Sequence, residues 1–185
     1  MNVGAVLSPA SQDDLRDAIA DAARVQTRLE IRGGGGKADI GAPRDATLLD
    51  MSRFAGVIDY DPAELVLTVG AGTRLAEIQA LVAEHGQMLA FEPFDHGPLM
   101  GHASGASTIG GVIGAAVAGS RRLSRGGARD HFLGFRAVSG RGEAFVGGAK
   151  VVKNVTGYDL PKNFCGSWGR LGALTEITLN VLPRP

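Results

Sequence analysis

The sequence predicts a domain that mixes helices with strands and divides into two subdomains. Before residue 90, short apolar segments typical of strands alternate with two segments whose apolar residues recur at helical spacing. The amino-acid composition then changes, because 18 of the 28 glycines lie in Gly97–Gly172. Proline and glycine cluster at residues 88–97, as they do in connecting segments. We therefore expect one subdomain at about 1–90 and a second at about 91–185.

The overall composition indicates a folded domain and excludes several kinds of protein. The 185 residues are 44% hydrophobic, with 19 basic and 19 acidic side chains, which is too apolar for a disordered tail. Zero net charge disfavours nucleic acid as the main partner. The single cysteine, Cys165, excludes a disulfide framework and a cysteine-rich metal site, and we expect no metal. Because no run of 18 apolar residues occurs, we also expect no membrane span.

In the first subdomain, cap and turn residues define the ends of the predicted elements. Ser11 is expected to cap a helix that has an acidic first turn. Thr73 is expected to cap a second helix, which ends at Gly86. The turn at Asp61–Glu64 joins the last two strands into a hairpin. The predicted strands are Val3–Leu7, Leu29–Ile31, Thr47–Leu49, Val57–Tyr60 and Leu65–Val69.

In the second subdomain, the sequence predicts one short helical segment and three strands. Thr108–Gly111 opens a stretch of small residues with helical character. Phe132–Val138 and Glu143–Val146 flank the turn signal Ser139–Gly142, so they are expected to form a hairpin. Leu174–Val181 alternates apolar and polar residues, as a strand with one buried face does.

Four consecutive glycines, Gly33–Gly36, follow directly on a predicted strand. Glycine lets a ligand approach the backbone closely, and successive N–H groups form an anion-binding nest. Arg32 and Lys37 bracket the glycines with positive charge, so we interpret the run as a phosphate-binding loop, with a flexible surface loop as the alternative. The Walker A pattern fails because Ala38 stands where Ser or Thr is required. The Rossmann fingerprint fails because Ala38 also occupies its third glycine position.

A second candidate phosphate site is Thr108–Gly111, where a hydroxyl precedes two glycines at the start of a helical segment. Small residues that follow, such as Gly114 and Ala115, would let a flat ring or a backbone segment lie against that helix. Close packing of the helix on a sheet is the alternative explanation. Two separated glycine-rich sites together favour an extended, diphosphate-containing ligand held between the subdomains.

Five segments taken together point to a family. They are Ile31–Lys37, Thr108–Gly111, Lys153–Leu160, Gly166–Gly172 and Val181–Pro185. With them the chain resembles the FAD-binding domain of the vanillyl-alcohol oxidase type, also called the PCMH type, and in particular the FAD-binding E subunits of glycolate oxidases. The likeness covers nearly the whole chain. It implies an α+β fold, an FAD-binding PCMH-type domain of two α+β subdomains with the cofactor between them.

The resemblance also implies which residues contact FAD. The first glycine loop would surround the pyrophosphate, the second would meet the flavin end and the phosphates, and the small residues after it would line the cofactor channel. Some members of the family attach the flavin to a histidine in the first loop. Because Lys37 stands in that neighbourhood here, we expect non-covalent FAD. The implied contacts are Gly33, Gly34, Gly35, Gly36, Lys37, Thr108, Ile109, Gly110, Gly111, Gly114, Ala115, Ala118, Gly119 and Leu174.

The resemblance further implies a flavin oxidoreductase that takes a hydride from a small 2-hydroxy acid, within a complex of other flavin and iron–sulfur subunits. It implies a cytoplasmic location, with contact to the inner face of the membrane through those partners. The family continues into a C-terminal substrate or cap region that this chain lacks, so we expect activity only in the complex. Two alternatives remain. One is a self-sufficient flavin oxidoreductase on another substrate, with His96–Ser107 completing its pocket; the other is an assembly subunit that has lost FAD.

The sequence assigns no catalytic residue. His96 and His102 lie close to the expected flavin site, without a third group that would make a metal site. Structural or surface roles are favoured for the other histidines and for Cys165. The arginine-rich stretch at 121–141 is interpreted as a solvated face, with FAD phosphate or an acidic partner subunit as the alternative contact. Trp168 departs from the smaller residues usual at its position in the family.

Overall fold

A computed structural model of the protein describes residues 5–42, 45–148 and 158–185, so Lys153–Gly157 of the family segments lies outside the described residues. The strands are β1 (Val6–Leu7), β2 (Leu29–Arg32), β3 (Thr47–Asp50), β4 (Val57–Asp61), β5 (Val66–Gly70), β6 (Gln87–Met88), β7 (Phe132–Val138), β8 (Ala144–Gly148), β9 (Ala173–Asn180) and β10 (Leu182–Pro183). The helices are α1 (Gln12–Arg24), α2 (Leu75–Glu84), α3 (Ile109–Gly114), α4 (Arg122–Arg125), α5 (Ala128–His131) and α6 (Leu160–Phe164), with a short 3-10 helix at Pro98–Met100. No helix in these ranges has the length and apolar character that a membrane crossing requires.

Three parallel strands form a small sheet beside the N-terminal helix. Their order is β1, β3, β2, and β2 pairs with β3 along its whole length. The apolar face of α1 packs against this sheet, where Leu15 and Leu49 are fully buried. Since β2 ends at Arg32, the glycine run begins at the edge of the sheet where the strand ends.

A five-stranded antiparallel sheet forms the larger part of the fold, in the order β4, β5, β9, β7, β8. Its central strand, β9, brings Ile177 opposite both Val69 of β5 and Phe135 of β7. The main hydrophobic core joins this sheet to α2 and α3. Its fully buried members include Leu67, Val69, Ile78, Phe91, Ile109, Ile113, Ile177 and Leu179.

The predicted division at residues 88–97 does not coincide with a break between the two sheets. Strands β4 and β5 precede residue 90, yet β5 pairs with β9 near the C-terminus. Helix α1 likewise shares its core with Val138 and Ala173. Strand pairing joins segments that are far apart in the chain, so the change in glycine content does not locate the boundary between the sheets.

The predicted hairpins are confirmed, whereas one predicted helix cap is wrong. Strands β4 and β5 pair antiparallel, as do β7 and β8. At the start of α2, however, Arg74 is the N-cap residue and Thr73 does not cap the helix. The Thr73 hydroxyl instead donates to the Gly70 carbonyl at 2.7 Å and accepts from the Gly56 N–H at 2.9 Å. This hydroxyl therefore fastens the β5–α2 turn to the segment before β4.

Ser11 caps α1 through a reciprocal pair of hydrogen bonds. The Asp14 N–H donates to Ser11 Oγ at 3.1 Å, and the Ser11 N–H donates to Asp14 Oδ2 at 3.0 Å. We expect Ser11→Ala to lower the free energy of unfolding by about 1 kcal/mol, because an amide of the first turn loses its acceptor. Denaturant unfolding measures the change. Ser8→Ala, at an exposed serine before the helix, is the control, and equal losses in both variants would contradict the capping role.

Candidate functional site

One cleft lies between the glycine run and the segment that begins α3. It is partly open to solvent, and residues from both segments line it. Glycines make up much of the wall, so the backbone itself is accessible. The lining residues include Gly33–Lys37, Thr108, Gly110, Gly111, Gly114, Ala115, Ser167, Trp168, Gly169 and Leu174.

The backbone of the glycine run is open to a ligand. Within the described part of the chain, no N–H from Gly33 to Lys37 donates a hydrogen bond to the protein. Gly35 has a φ of +75°, in the left-handed region that glycine adopts at little cost, and a turn follows the strand here. Successive N–H groups without protein acceptors in such a turn are suited to binding an anion.

The two glycine-rich segments are in direct contact. A Cβ atom added to Gly33 would lie 2.2 Å from Thr108 Oγ1. One added to Gly34 would lie 1.5 Å from the carbonyl oxygen of Ala106. The close approach therefore requires glycine at both positions. The two candidate phosphate sites of the sequence therefore line one cleft side by side.

Lys37 brings a positive charge to this cleft. Its Nζ lies 3.7 Å from the position that a Cβ on Gly111 would occupy, so the side chain spans from the first glycine-rich segment to the second. Burial lowers the pKa of Lys37, and the neighbouring Asp95 carboxylate offsets part of that effect. Among the described residues, Lys37 forms no ion pair. Its ammonium group is therefore available to an anionic ligand.

Asp95 holds the segment before Thr108 in place. Its carboxylate accepts hydrogen bonds from the N–H groups of Gly97 at 2.9 Å and Gly105 at 2.6 Å, and from Ser107 Oγ at 2.7 Å. Burial alone would raise the pKa of Asp95, but these hydrogen bonds and the charge of Lys37 lower that pKa below its ordinary value. The ionised carboxylate thus fixes loop 97–107 beside the glycine run.

The first N–H groups of α3 donate hydrogen bonds within the protein, whereas the sequence predicts that they bind phosphate. Ile109 N–H donates to the Thr73 carbonyl at 2.9 Å, and Gly110 N–H donates to the Ala71 carbonyl at 2.7 Å. Gly111 N–H donates to Thr108 Oγ1 at 3.3 Å. This wall therefore offers small side chains and the Thr108 hydroxyl rather than free backbone donors.

Eleven of the fourteen predicted FAD contacts line the cleft, whereas Ile109, Ala118 and Gly119 do not. Ile109 is fully buried in the main core, and Gly119 lies against Glu92. Contact with the cofactor stays a prediction for all fourteen residues. The eleven residues in the lining are Gly33, Gly34, Gly35, Gly36, Lys37, Thr108, Gly110, Gly111, Gly114, Ala115 and Leu174.

His96 and His102 lie outside the lining of the cleft. The His96 ring stacks on Phe94 with centroids 4.5 Å apart, and burial and the charge of Lys37 lower the pKa of His96. His102 Nε2 lies 2.8 Å from Asp39 Oδ2, which ties loop 97–107 to the residues after the glycine run. His102 therefore contributes to the position of this loop.

Cys165 and His131 lie in structural environments. Burial raises the pKa of the Cys165 thiol to about 11, so the thiol is protonated and a poor nucleophile at neutral pH. His131 is buried against Phe91, and its Nε2 lies 2.8 Å from the Arg125 carbonyl oxygen. Neither residue lines the cleft.

The geometry of this cleft, which is lined by glycines and by Lys37, agrees with a comparison against known families. A family model described as FAD binding domain matches residues 3–148. The chain belongs to this family. The α+β class, the FAD-binding type and FAD as the cofactor, all expected from the sequence, are confirmed for this FAD-binding domain.

Named relatives extend the likeness along nearly the whole chain. Glycolate oxidase subunit GlcE of Escherichia coli strain K12 is 41% identical over 96% of this chain and 48% of its own length. Glycolate oxidase subunit GlcD of Bacillus subtilis is 29% identical, covering 98% of this chain and 37% of that protein. D-lactate dehydrogenase of Archaeoglobus fulgidus is 27% identical, covering 97% and 39%. The FAD-binding domain thus spans about half or less of the length of these relatives.

A solved structure gives the same fold at lower sequence identity. Alkyldihydroxyacetonephosphate synthase superposes with a TM-score of 0.73 at 20% identity, over 97% of this chain and 32% of that one. At this identity the likeness concerns the fold alone.

The residues of the cleft fit the group that the family binds. FAD contains a pyrophosphate between two planar ring systems. The open amides of Gly33–Gly36 and the free ammonium of Lys37 suit the pyrophosphate. The apolar side chains of Trp168 and Leu174 suit a planar ring. One continuous cleft carries both kinds of surface, as a dinucleotide requires.

Sequence reasoning left several residues of the site unassigned. Ser167, Trp168 and Gly169 line the cleft. They belong to the glycine-rich segment Gly166–Gly172, which supports the family resemblance, but the sequence analysis predicts no cofactor contact within that segment. Asp95 had no sequence signal. Its three donors are spread over the following 12 residues and converge only in the folded loop.

Proposed function

We propose that this FAD-binding domain holds non-covalent FAD for an oxidoreductase that oxidises small 2-hydroxy acids within a glycolate oxidase type of complex. The observation that carries the proposal is one cleft that is lined both by the open amides of Gly33–Gly36 with Lys37 and by the apolar side chains of Trp168 and Leu174. The names of the glycolate oxidase subunits and the D-lactate dehydrogenase support the substrate class.

The residues of the cleft bind and orient the cofactor. When bound, FAD supplies the two-electron chemistry, because its isoalloxazine ring accepts a hydride. The amides of the glycine run donate hydrogen bonds to the pyrophosphate, and Lys37 neutralises part of its charge. Asp95 holds loop 97–107 and thereby keeps Ser107 and Thr108 at the cleft.

The substrate is handled by groups outside this cleft. Oxidation of a hydroxy acid requires a base for the hydroxyl proton and a cation for the carboxylate. The titratable residues in the lining are Glu30, Arg32 and Lys37, and the Glu30 carboxylate already pairs with Arg32 at 2.6 Å. Other flavin and iron–sulfur subunits, or another part of the protein, would supply these groups, in agreement with the relatives that are named as subunits.

The chemistry of the lining supports non-covalent attachment. Covalent flavin needs a nucleophilic side chain such as histidine or cysteine within reach of the ring. None of the residues that line the described cleft is a histidine or a cysteine. Lys37 is the nucleophile that adjoins the glycine run, and its ammonium group is placed to meet the charge of the pyrophosphate.

We expect purified protein that has been stripped of nucleotide and incubated with FAD to retain it through gel filtration and to show the visible flavin absorption. Acid precipitation should then release all of the flavin as intact FAD. NAD, which lacks the isoalloxazine ring, is the matched control and should not be retained. Flavin in the acid pellet would contradict non-covalent binding, and absence of flavin absorption after addition of FAD would contradict the proposed function.

Addition of glycolate separates the complex from the self-sufficient alternative. We expect glycolate not to bleach the flavin of the isolated chain, because the cleft holds no free base for the substrate. Addition of the partner subunits should restore bleaching. Bleaching of the isolated chain by glycolate would instead favour the self-sufficient oxidoreductase.

A further inference from the structure

Trp168 is the only tryptophan of the chain and has an unusual backbone conformation. Its φ is +55°, in the left-handed region that a bulky side chain disfavours. Gly166 and Gly169 on either side also have positive φ, at +82° and +71°. The loop is therefore shaped by glycine at two positions, while Trp168, one of the two residues between them, is a large aromatic.

Two hydrogen bonds impose this conformation. The Trp168 N–H donates to the Gly114 carbonyl at 2.9 Å, and the Gly166 N–H donates to the Ile113 carbonyl at 3.0 Å. Both acceptors belong to the last turn of α3, so the loop is fastened to that helix. Strain of this kind persists where the surrounding structure fixes it, and it is enriched at sites that clamp a ligand.

The Trp168 side chain lies outside the hydrophobic cores of the described residues. It is 44% exposed and belongs to neither hydrophobic core. Within the described ranges no aromatic ring packs against it. It nevertheless lines the cleft together with Gly114, Ala115 and Leu174, which are small or aliphatic. A large aromatic side chain thus lines the cleft with part of its surface exposed and without another ring against it in the described part of the chain.

We propose that the Trp168 indole stacks on a planar ring of the bound dinucleotide. The proposal rests on the proposed function, since it requires FAD in this cleft. An aromatic side chain recognises a planar ring through its π face, and such stacking strengthens binding without fixing polar contacts. The ring is either the isoalloxazine or the adenine, which share this chemistry. The strained backbone holds the indole ready before the ligand arrives.

A structural role and a ligand-binding role for Trp168 predict different effects of its removal on the stability of the cofactor-free protein. If Trp168 served the fold, its removal would destabilise the protein without cofactor. If it serves the ligand, replacing it by a residue that tolerates positive φ relieves strain and weakens only binding. Asparagine is such a residue, because its short polar side chain is accepted in the left-handed region. Trp168→Asn therefore separates the two roles.

We expect Trp168→Asn to weaken FAD binding by about tenfold and to leave the thermal midpoint of the cofactor-free protein unchanged or higher. Trp168→Phe keeps an aromatic face and should stay within about threefold of wild type. Calorimetric titration with FAD and thermal unfolding without FAD give the two readouts. Unchanged affinity in Trp168→Asn, or a lower thermal midpoint that accompanies the loss of affinity, would overturn the proposal.

Fragments of the cofactor identify the ring. Dissociation constants of FMN and of ADP are measured for wild type and for Trp168→Asn, by displacement of FAD. The fragment whose affinity falls in the variant carries the stacked ring, and loss for neither fragment overturns the proposal. If wild-type protein bound no FAD, the proposed function itself would fail. Equal FAD binding by wild type and Trp168→Asn would overturn this inference alone.

Discussion

Gly34→Ala is expected to abolish detectable FAD binding and to lower the free energy of unfolding by about 3 kcal/mol. An added Cβ would lie 1.5 Å from the Ala106 carbonyl oxygen and 3.2 Å from Arg74 Nη1. The carbonyl belongs to the backbone and cannot rotate away as a side chain could. Arg74 also donates a hydrogen bond to this carbonyl, so movement of Ala106 disturbs that contact as well. The glycine run and loop 97–107 would therefore separate.

Gly140→Ala is the matched control, because a Cβ there meets no atom within 4 Å and its φ is not positive. It should change the free energy of unfolding by less than about 1 kcal/mol and leave FAD affinity unchanged. Denaturant unfolding and FAD titration measure both variants. Normal FAD affinity in Gly34→Ala would show that the two cleft walls do not need this close approach.

The parts of the fold that the sequence predicted are set by neighbouring residues. Ser11 and Asp14 form their capping box within one helical turn. The Asp61–Glu64 turn decides the β4–β5 hairpin, because Asp61 Oδ1 accepts hydrogen bonds from the N–H groups of Ala63 and Glu64. Such interactions depend on spacings of two to four residues, which are visible in one sequence.

The arrangement of the sheets depended on contacts that one sequence does not display. The pairing of β5 with β9 places Val69 opposite Ile177, more than one hundred residues later. The apolar residues of a strand do not specify which other strand it pairs with. Several strand orders within the sheet would therefore bury the same side chains. The predicted boundary at residues 88–97 relied on composition, and composition does not determine which strands pair.

The residues of the candidate site also form two groups: those whose role is visible in the sequence, and those whose role depends on the folded structure. The open backbone of Gly33–Gly36 at the cleft agrees with the prediction, because consecutive glycines after a strand leave the N–H groups accessible. The segment Thr108–Gly111 looked equivalent, yet the amides of Ile109 and Gly110 donate to the carbonyls of Thr73 and Ala71. Whether a backbone donor is free depends on which acceptor the fold brings to it. A sequence pattern indicates where backbone N–H donors occur, but it does not indicate which of them donate to an acceptor within the folded protein.

Lys37→Met is expected to weaken FAD binding by about 10- to 100-fold while leaving the cofactor-free protein at least as stable as wild type. A charge-assisted contact with a phosphate oxygen is worth about 1.5–3 kcal/mol, and methionine keeps the length and the apolar stem of the side chain. Without ligand, the buried ammonium is a cost to the fold, because burial lowers its pKa. FAD titration and denaturant unfolding separate the two effects.

The lowered pKa of Lys37 determines the direction in which stability and FAD affinity change with pH. The pKa of Lys37 lies below its ordinary value of 10.5 in the folded protein, so the folded state releases this proton more readily than the unfolded state. This group therefore makes the cofactor-free protein more stable as pH rises from the lowered pKa toward 10.5. A bound pyrophosphate favours the charged form and raises the pKa again. FAD binding should then take up a proton in this window, and affinity should fall as pH rises through it.

Lys37→Met should remove the alkaline decline in affinity together with the affinity itself, because the titrating group is gone. Lys162→Met is the control: this exposed lysine pairs with Asp159 at 2.6 Å and lies outside the cleft lining, so its loss should alter neither FAD affinity nor the pH profile. An alkaline decline that persists in Lys37→Met would assign the titration to another group. Reduced affinity with an unchanged pH profile would mean that Lys37 acts through packing, because a charge that holds the pyrophosphate must lose its effect when it loses its proton.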